Sequence, residues 1–178
     1  RLHARVFDGV RHGVLIAESI WPNDAYPDGK GINTLTGSGY NDSLDGGAGN
    51  DSLIGGAGDD VLKFSVDGAW ASGAQAFNTS TWAQVSVAGK QRSLDQFDGG
   101  AGKDTLLGTT GADAVFLDDV SSATARLANI EAINTGSGDD VVDLTSTRFA
   151  YGAVTVDAGD GNDVIWTSSG NDWLDGGA

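Results

Sequence analysis

Between Gly46 and Lys63 the chain states nine residues twice without a break: GGAGNDSLI, then GGAGDDVLK. Written as G-G-x-G-x-D-x-U-x, with U a large apolar residue, the phrase fixes an aspartate at position six and an apolar residue at position eight. Asp42, Asp51 and Asp60 hold position six at intervals of nine, and Leu44, Leu53 and Leu62 hold position eight. The glycines supply backbone conformations with positive φ at no Cβ cost, so the first six residues can turn tightly. The last three can form a very short strand whose middle residue alone points inward. One such turn cannot bury its own apolar residue, so neighbours must stack.

The pattern recurs with gaps. DGKGINTLT is a degenerate turn with Asn33 and Leu35, and a second array runs through FDGGAGKDTLLGTTGADAVF. There Asp104 and Asp113 hold position six, Leu106 and Val115 hold position eight, and Asp95 with Phe97 suits a weaker turn before them. TGSGDDVVD offers Asp140 with Val142. A last array offers Asp163 with Ile165, then Asp172 with Leu174. Residues 64–94 are irregular and carry Trp70, Phe77 and Trp82. In 117–157 only AVTVD alternates like a strand. SSATARLANIEAI is the one candidate for a short helix.

The aspartates are the costly element. Stacked nine-residue turns set carboxylates in rows along one edge, in a chain whose formal net charge is −15. A hard divalent cation between them turns that repulsion into attachment. Calcium takes six to eight oxygens, carboxylates and backbone carbonyls among them. The same charge speaks against nucleic acid or an anionic membrane as partner. No apolar run approaches the ~18 residues needed to span a bilayer. With no Cys there is no disulfide and no thiolate metal site. The chain starts at Arg1 without Met and stops at DGGA, which reads as a piece of a longer protein.

Segments 37–63, 99–116 and 158–175 resemble the glycine-rich nonapeptide repeats of the RTX (haemolysin-type calcium-binding) family. The resemblance implies an all-β fold, a parallel β-roll in which successive strands alternate between two sheets. One coil then takes two nonapeptides, and turns one coil apart share a calcium ion. Carried onto this chain, Asp42 faces Asp60, Asn33 faces Asp51, and Asp95 faces Asp113. Asp104, Asp140, Asp163 and Asp172 are left without an in-register partner. The backbone ligands it implies are the carbonyls of Gly37, Gly39, Gly46, Gly47, Gly49, Gly55, Gly56, Gly58, Gly99, Gly100 and Gly102. It also implies several Ca2+ ions, type I secretion and an extracellular or cell-surface location.

The first 36 residues resemble the C-terminal tail of the dinucleotide-binding domain of molybdopterin oxidoreductases. The matching residues are Val10, Arg11, Gly13, Val14, Glu18, Trp21, Gly29, Gly31, Ile32, Asn33, Leu35 and Thr36. Such a tail holds no complete cofactor site, and a cap over the first coil of the roll is the other reading of the segment.

Other chemistry finds little support. His3 and His12 are the only histidines, too few for a zinc site or a convincing triad. Asp118-Asp119 could pair as acids for glycoside chemistry, but a solvated acidic loop is the plainer reading. Trp166 and Trp173 sit beside repeat positions and suit roll packing. Trp70 and Trp82 leave room for a glycan or protein partner on the insert. The GSG and GAG turns lack the Lys-Ser/Thr of a phosphate loop. The expected organisation is a cap or preceding tail over 1–32, a first array over 33–63, and an irregular insert over 64–94. A second array over 95–116, degenerate repeats over 117–157 and a third array over 158–178 complete it. The expected function is non-catalytic calcium binding, with an enzyme's appendage or an adhesin or surface-layer spacer as the alternatives.

Overall fold

The computed structural model describes residues 31–118 and 123–178, together with the backbone of Gly13–Ile16. Short strands follow one another at turn after turn: β1 (Gly13–Ile16), β2 (Thr34–Thr36), β3 (Asp42–Asp45), β4 (Ser52–Ala57) and β5 (Val61–Lys63). An insert contributes β6 (Gly68–Ala69), β7 (Gln75–Phe77), β8 (Gln84–Ser86) and β9 (Gln91–Arg92). Then come β10 (Gln96–Ala101), β11 (Thr105–Thr109), β12 (Ala114–Phe116), β13 (Leu127–Ala128) and β14 (Ala132–Gly136). The last are β15 (Val141–Asp143), β16 (Thr155–Asp157), β17 (Val164–Trp166) and β18 (Trp173–Asp175). No helix occurs among the described residues.

Stacked coils bring these strands into parallel sheets. One sheet has seven strands in the order β1-β3-β5-β11-β14-β16-β18, and a second has the order β13-β10-β4-β2. The position-eight residues fall in columns. Leu44, Leu62, Leu106, Ile133, Val156 and Leu174 lie in register on the first sheet. Leu35, Leu53, Phe97 and Leu127 do so on the second. The two columns meet in one core, where Leu44, Leu53, Leu62 and Leu106 are fully buried. Burial of each such leucine contributes roughly 1.5–3 kcal/mol.

A third parallel sheet, β12-β15-β17, corrects the expectation of strict alternation between two sheets. Its centre is the column Val115, Val142, Ile165. It exists because the coil from β11 to β14 is longer than two nonapeptides. The added length makes a further side before the chain returns to the second sheet at β13. The insert leaves and rejoins the roll on the same side, and Gln91 bridges in parallel to Asp113 beneath β12. Its own strands pair antiparallel, β6 with β9 and β7 with β8.

The candidate helix is instead strand, corner, strand. Leu127, Ile130 and Ile133 recur every third residue, but β13 and β14 bury all three around a corner at Asn129, whose φ is 51°. Trp166 packs against the cluster of Ala76, Val87, Ala114 and Val141, whereas Trp173 is 57% exposed and does not serve as roll packing. Trp70 stands edge-on to Phe116 at 5.2 Å, so it joins insert to roll. The resemblance of the first 36 residues falls largely outside the described residues.

Candidate metal centre

The glycine turns before β3, β4, β5 and β11 are built to aim an aspartate inward. In the turn ahead of Asp60, Gly56 and Gly58 have φ of 111° and 122°, a region that L side chains rarely adopt. Asp51, Asp60, Asp95, Asp104, Asp113 and Asp140 are all buried to 1% exposure or less, and Asp42 to 4%.

The aspartates form ladders that climb from coil to coil. The Asp42 N–H donates to Oδ1 of Asp60 at 2.7 Å, and the Asp60 N–H to Oδ1 of Asp104 at 2.7 Å. The Asp104 N–H then donates to Oε2 of Glu131 at 2.8 Å. A second ladder joins the Asn33 N–H to Asp51 and the Asp51 N–H to Asp95, both at 2.7 Å. A third joins the Asp113 N–H to Asp140 at 2.7 Å and the Asp140 N–H to Asp163 at 2.8 Å. Near the last coil the Val154 N–H donates to Oδ1 of Asp172 at 3.1 Å.

The links to Asp51, Asp60, Asp95, Asp104, Asp140 and Asp163 each satisfy one carboxylate oxygen and leave the other alone. Oδ2 of Asp51, Asp60, Asp95, Asp104, Asp140 and Asp163, and Oδ1 of Asp42, are buried side-chain oxygens with no hydrogen bond. Buried acceptors without a partner are costly and rare in folded proteins. The electrostatics register this. Burial, the largest cause, pushes the carboxyls of Asp51 and Asp113 up to about 6 and that of Asp95 to about 8, against an ordinary 3.8. Burial raises Asp60, Asp104 and Asp140 too, opposed by the ladder N–H bonds and reinforced by the next carboxylate along.

Carbonyl oxygens meet these orphans at the turns. A Cβ on Gly55 would lie within 3.0 Å of both Oδ2 of Asp60 and the Gly99 carbonyl. A Cβ on Gly99 would likewise meet Oδ2 of Asp104 and the Asn129 carbonyl, and one on Gly37 would meet the Gly55 carbonyl and Oδ2 of Asp42, the oxygen that Ser38 already holds. Glycine keeps these cradles open. Among the described residues no three His, Cys, Asp or Glu side chains gather as a metal-binding group. A cation here must therefore combine few carboxylates with carbonyls, an all-oxygen set that suits a hard ion such as calcium.

The geometry keeps two expected pairings and replaces the rest. Asp42 with Asp60 and Asn33 with Asp51 are eighteen residues apart, as anticipated. Asp95 does not face Asp113: its partner is Asp51, forty-four residues away, because the insert lengthens that coil. Asp113 instead meets Asp140 across twenty-seven residues. Asp104, Asp140 and Asp163 have in-register carboxylate partners, contrary to expectation, whereas Asp172 meets only the N–H of Val154, whose side chain offers no ligand. Among the glycines, a Cβ on Gly39 would meet nothing within 4 Å, so its turn is open there.

Two acids escaped the sequence reading. Glu131 takes a rung although it lies in no GGxGxD phrase; only its place ahead of the apolar column residue Ile133 hints at it. Asp67 accepts the Gly49 N–H and the Leu94 N–H, both at 2.6 Å, and so closes the base of the insert.

A family model for the RTX calcium-binding nonapeptide repeat matches the chain in four copies, over residues 28–62, 95–119 and 155–178. No curated protein and no solved structure matches it. The matched stretches coincide with ladder turns of Asp42, Asp51, Asp60, Asp95, Asp104, Asp113, Asp163 and Asp172. The chain therefore carries RTX calcium-binding nonapeptide repeats wound into a parallel β-roll, repeats that take several Ca2+ ions.

Proposed function

We propose that the chain is a non-catalytic module that stays expanded when calcium is scarce and folds when calcium reaches ~10⁻⁴–10⁻³ M, the range of extracellular modules. The observation that carries this reading is the row of buried carboxylate oxygens left without hydrogen bonds on Asp42, Asp51, Asp60, Asp95, Asp104, Asp140 and Asp163. Self-repulsion at −15 and the entropy of 28 glycines oppose folding of the bare chain. Bound calcium supplies positive charge and further coordination to those oxygens, and binding to the folded state alone stabilises it by mass action. The proposed ligands are the carboxylates of Asp42, Asp51, Asp60, Asp95, Asp104, Asp113, Asp140, Asp163 and Asp172, the side chain of Asn33, and the glycine carbonyls of the same turns. Glu131 joins them.

Such a module suits a secreted or cell-surface bacterial protein, exported by type I secretion in the unfolded state and folded outside. β1 pairs with β3 and extends the seven-stranded sheet. That favours residues 1–32 as the roll's own cap over the tail of an upstream oxidoreductase.

Far-UV circular dichroism of the chain in EDTA, then through a calcium titration with magnesium as control, tests the proposal. A cooperative gain of β signal with calcium alone is expected. A spectrum already folded in EDTA and indifferent to calcium would refute calcium-dependent folding.

A further inference from the structure

The insert carries a surface that calcium binding does not use. In its hairpin Phe77 lies opposite Gln84, Ala76 opposite Val85 and Gln75 opposite Ser86. Strand alternation sends buried Ala76 toward the roll, where it packs with Val87, Ala114 and Val141. Gln75, Phe77, Gln84 and Ser86 occupy the other, exposed face. The hairpin is fastened to the roll at its tip, where the Thr79 N–H donates to Oγ1 of Thr145 at 3.1 Å.

The turn after Phe77 is tied as firmly. Oδ1 of buried Asn78 accepts the Ser80 and Thr81 N–H groups at 2.9 and 2.8 Å, and the Trp82 N–H donates to the Asn78 carbonyl at 3.0 Å. This arrangement holds Trp82 at a φ of 63°, a genuine outlier for a bulky residue. Its side chain is nonetheless 75% exposed, edge-on to Phe77 with ring centroids 5.4 Å apart. Strained backbone that delivers a large ring to water does nothing for the core. Conformations of this kind gather at ligand clamps.

The surrounding chemistry narrows the ligand. From Ala71 to Gly89 there is no charged residue, in a chain of net charge −15. The exposed groups are two aromatic rings, two carboxamides and hydroxyls. Rings of this kind cover the apolar C–H face of a sugar, and a carboxamide both donates to and accepts from adjacent hydroxyls. The arginine that accompanies aromatics at protein–protein hot spots is missing from this stretch. We propose that the outer face of this hairpin is a binding platform for neutral carbohydrate, with Trp82 stacking on the sugar, Phe77 bracing the Trp82 ring edge-on, and Gln75 and Gln84 holding the sugar hydroxyls.

The test is isothermal titration of the calcium-loaded full chain with cello-, laminari- and mannohexaose, with oligogalacturonate as the charged control. At least one neutral sugar should bind, and Trp82→Ala should weaken it by roughly tenfold or more. The calcium midpoint of folding should move by less than about twofold, which separates this claim from the calcium reading. Trp82→Gly should abolish binding while raising the thermal midpoint, since glycine tolerates the left-handed backbone. Failure of every neutral sugar to bind, binding untouched by Trp82→Ala, equal binding of the charged control, or a protein partner held at this face without competition from sugar would each overturn the proposal.

Discussion

The coils between β2 and β5 and those between β5 and β16 solve the same problem at different lengths. In the first region each rung joins residues eighteen apart, two nonapeptides per coil. In the second the rungs span forty-four, twenty-seven and twenty-three residues. The rung itself does not change: a backbone N–H still donates to one carboxylate oxygen of the next coil at 2.7–2.8 Å. The apolar column also keeps its register across Leu62, Leu106 and Ile133. What repeats in this fold is therefore the turn and its rung, while the chain between rungs is free to grow on one side. The insert and the third sheet are where it has grown.

If that is right, matched substitutions in the two regions should cost alike. Leu53→Ala in the short coils and Leu106→Ala in the long ones should each lose about 2–5 kcal/mol, because both side chains are fully buried. Chemical denaturation in saturating calcium would measure it, and a much smaller loss at Leu106 would mean that the long coils are loosely packed. Gly55→Ala should cost about 1–3 kcal/mol by pressing a methyl against Asp60 and the Gly99 carbonyl, whereas Gly152→Ala, whose Cβ meets nothing, should be silent. Equal thermal midpoints for the two variants would show that the cradle is not needed.

Asp60→Ala and Asp140→Ala should each raise the calcium midpoint of folding roughly tenfold, since affinity follows the ligand charge count. Exposed Asp160→Ala should not. A silent Asp140 would confine the calcium-bearing ladder to the short coils and break the comparison.

The smallest effect is on pH dependence without calcium. Burial raises the folded-state pKa of Asp51 and Asp113 to about 6 and of Asp95 to about 8, above the ordinary 3.8. The protonated carboxyl is then the form the fold prefers. Its contribution is complete below about pH 4 and is lost as pH rises through 6 toward 8. In EDTA the expanded chain should therefore gain β signal in far-UV circular dichroism as pH falls through that window. In calcium acid should act the other way, because the ligands must be ionised. A β signal in EDTA that grows as pH rises would contradict the assigned burial.

The sequence disclosed the unit more fully than its stacking. GGAGNDSLI and GGAGDDVLK carry both turn and rung in contiguous residues, so Asp42 and Asp60 could be paired by counting. Asp51 and Asp95 could not, because the partner distance depends on how much chain the insert diverts, and no local pattern encodes that. Counting by eighteen instead paired Asp95 with Asp113, which sits on a side that exists only in the long coils. Glu131 was hidden for a related reason: its turn departs from the glycine phrase, and a longer side chain reaches the same rung. The strained Trp82 left no local trace, since its φ follows from the Asn78-bonded turn.

The most direct test of the ladders is a crystal of the calcium-loaded chain with calcium anomalous-difference density. Ions are expected beside the unpaired oxygens of both regions, at Asp42 and Asp60 and equally at Asp95, Asp104 and Asp140. Ions confined to the short coils, or lying only on exposed acids such as Asp160, would contradict that expectation.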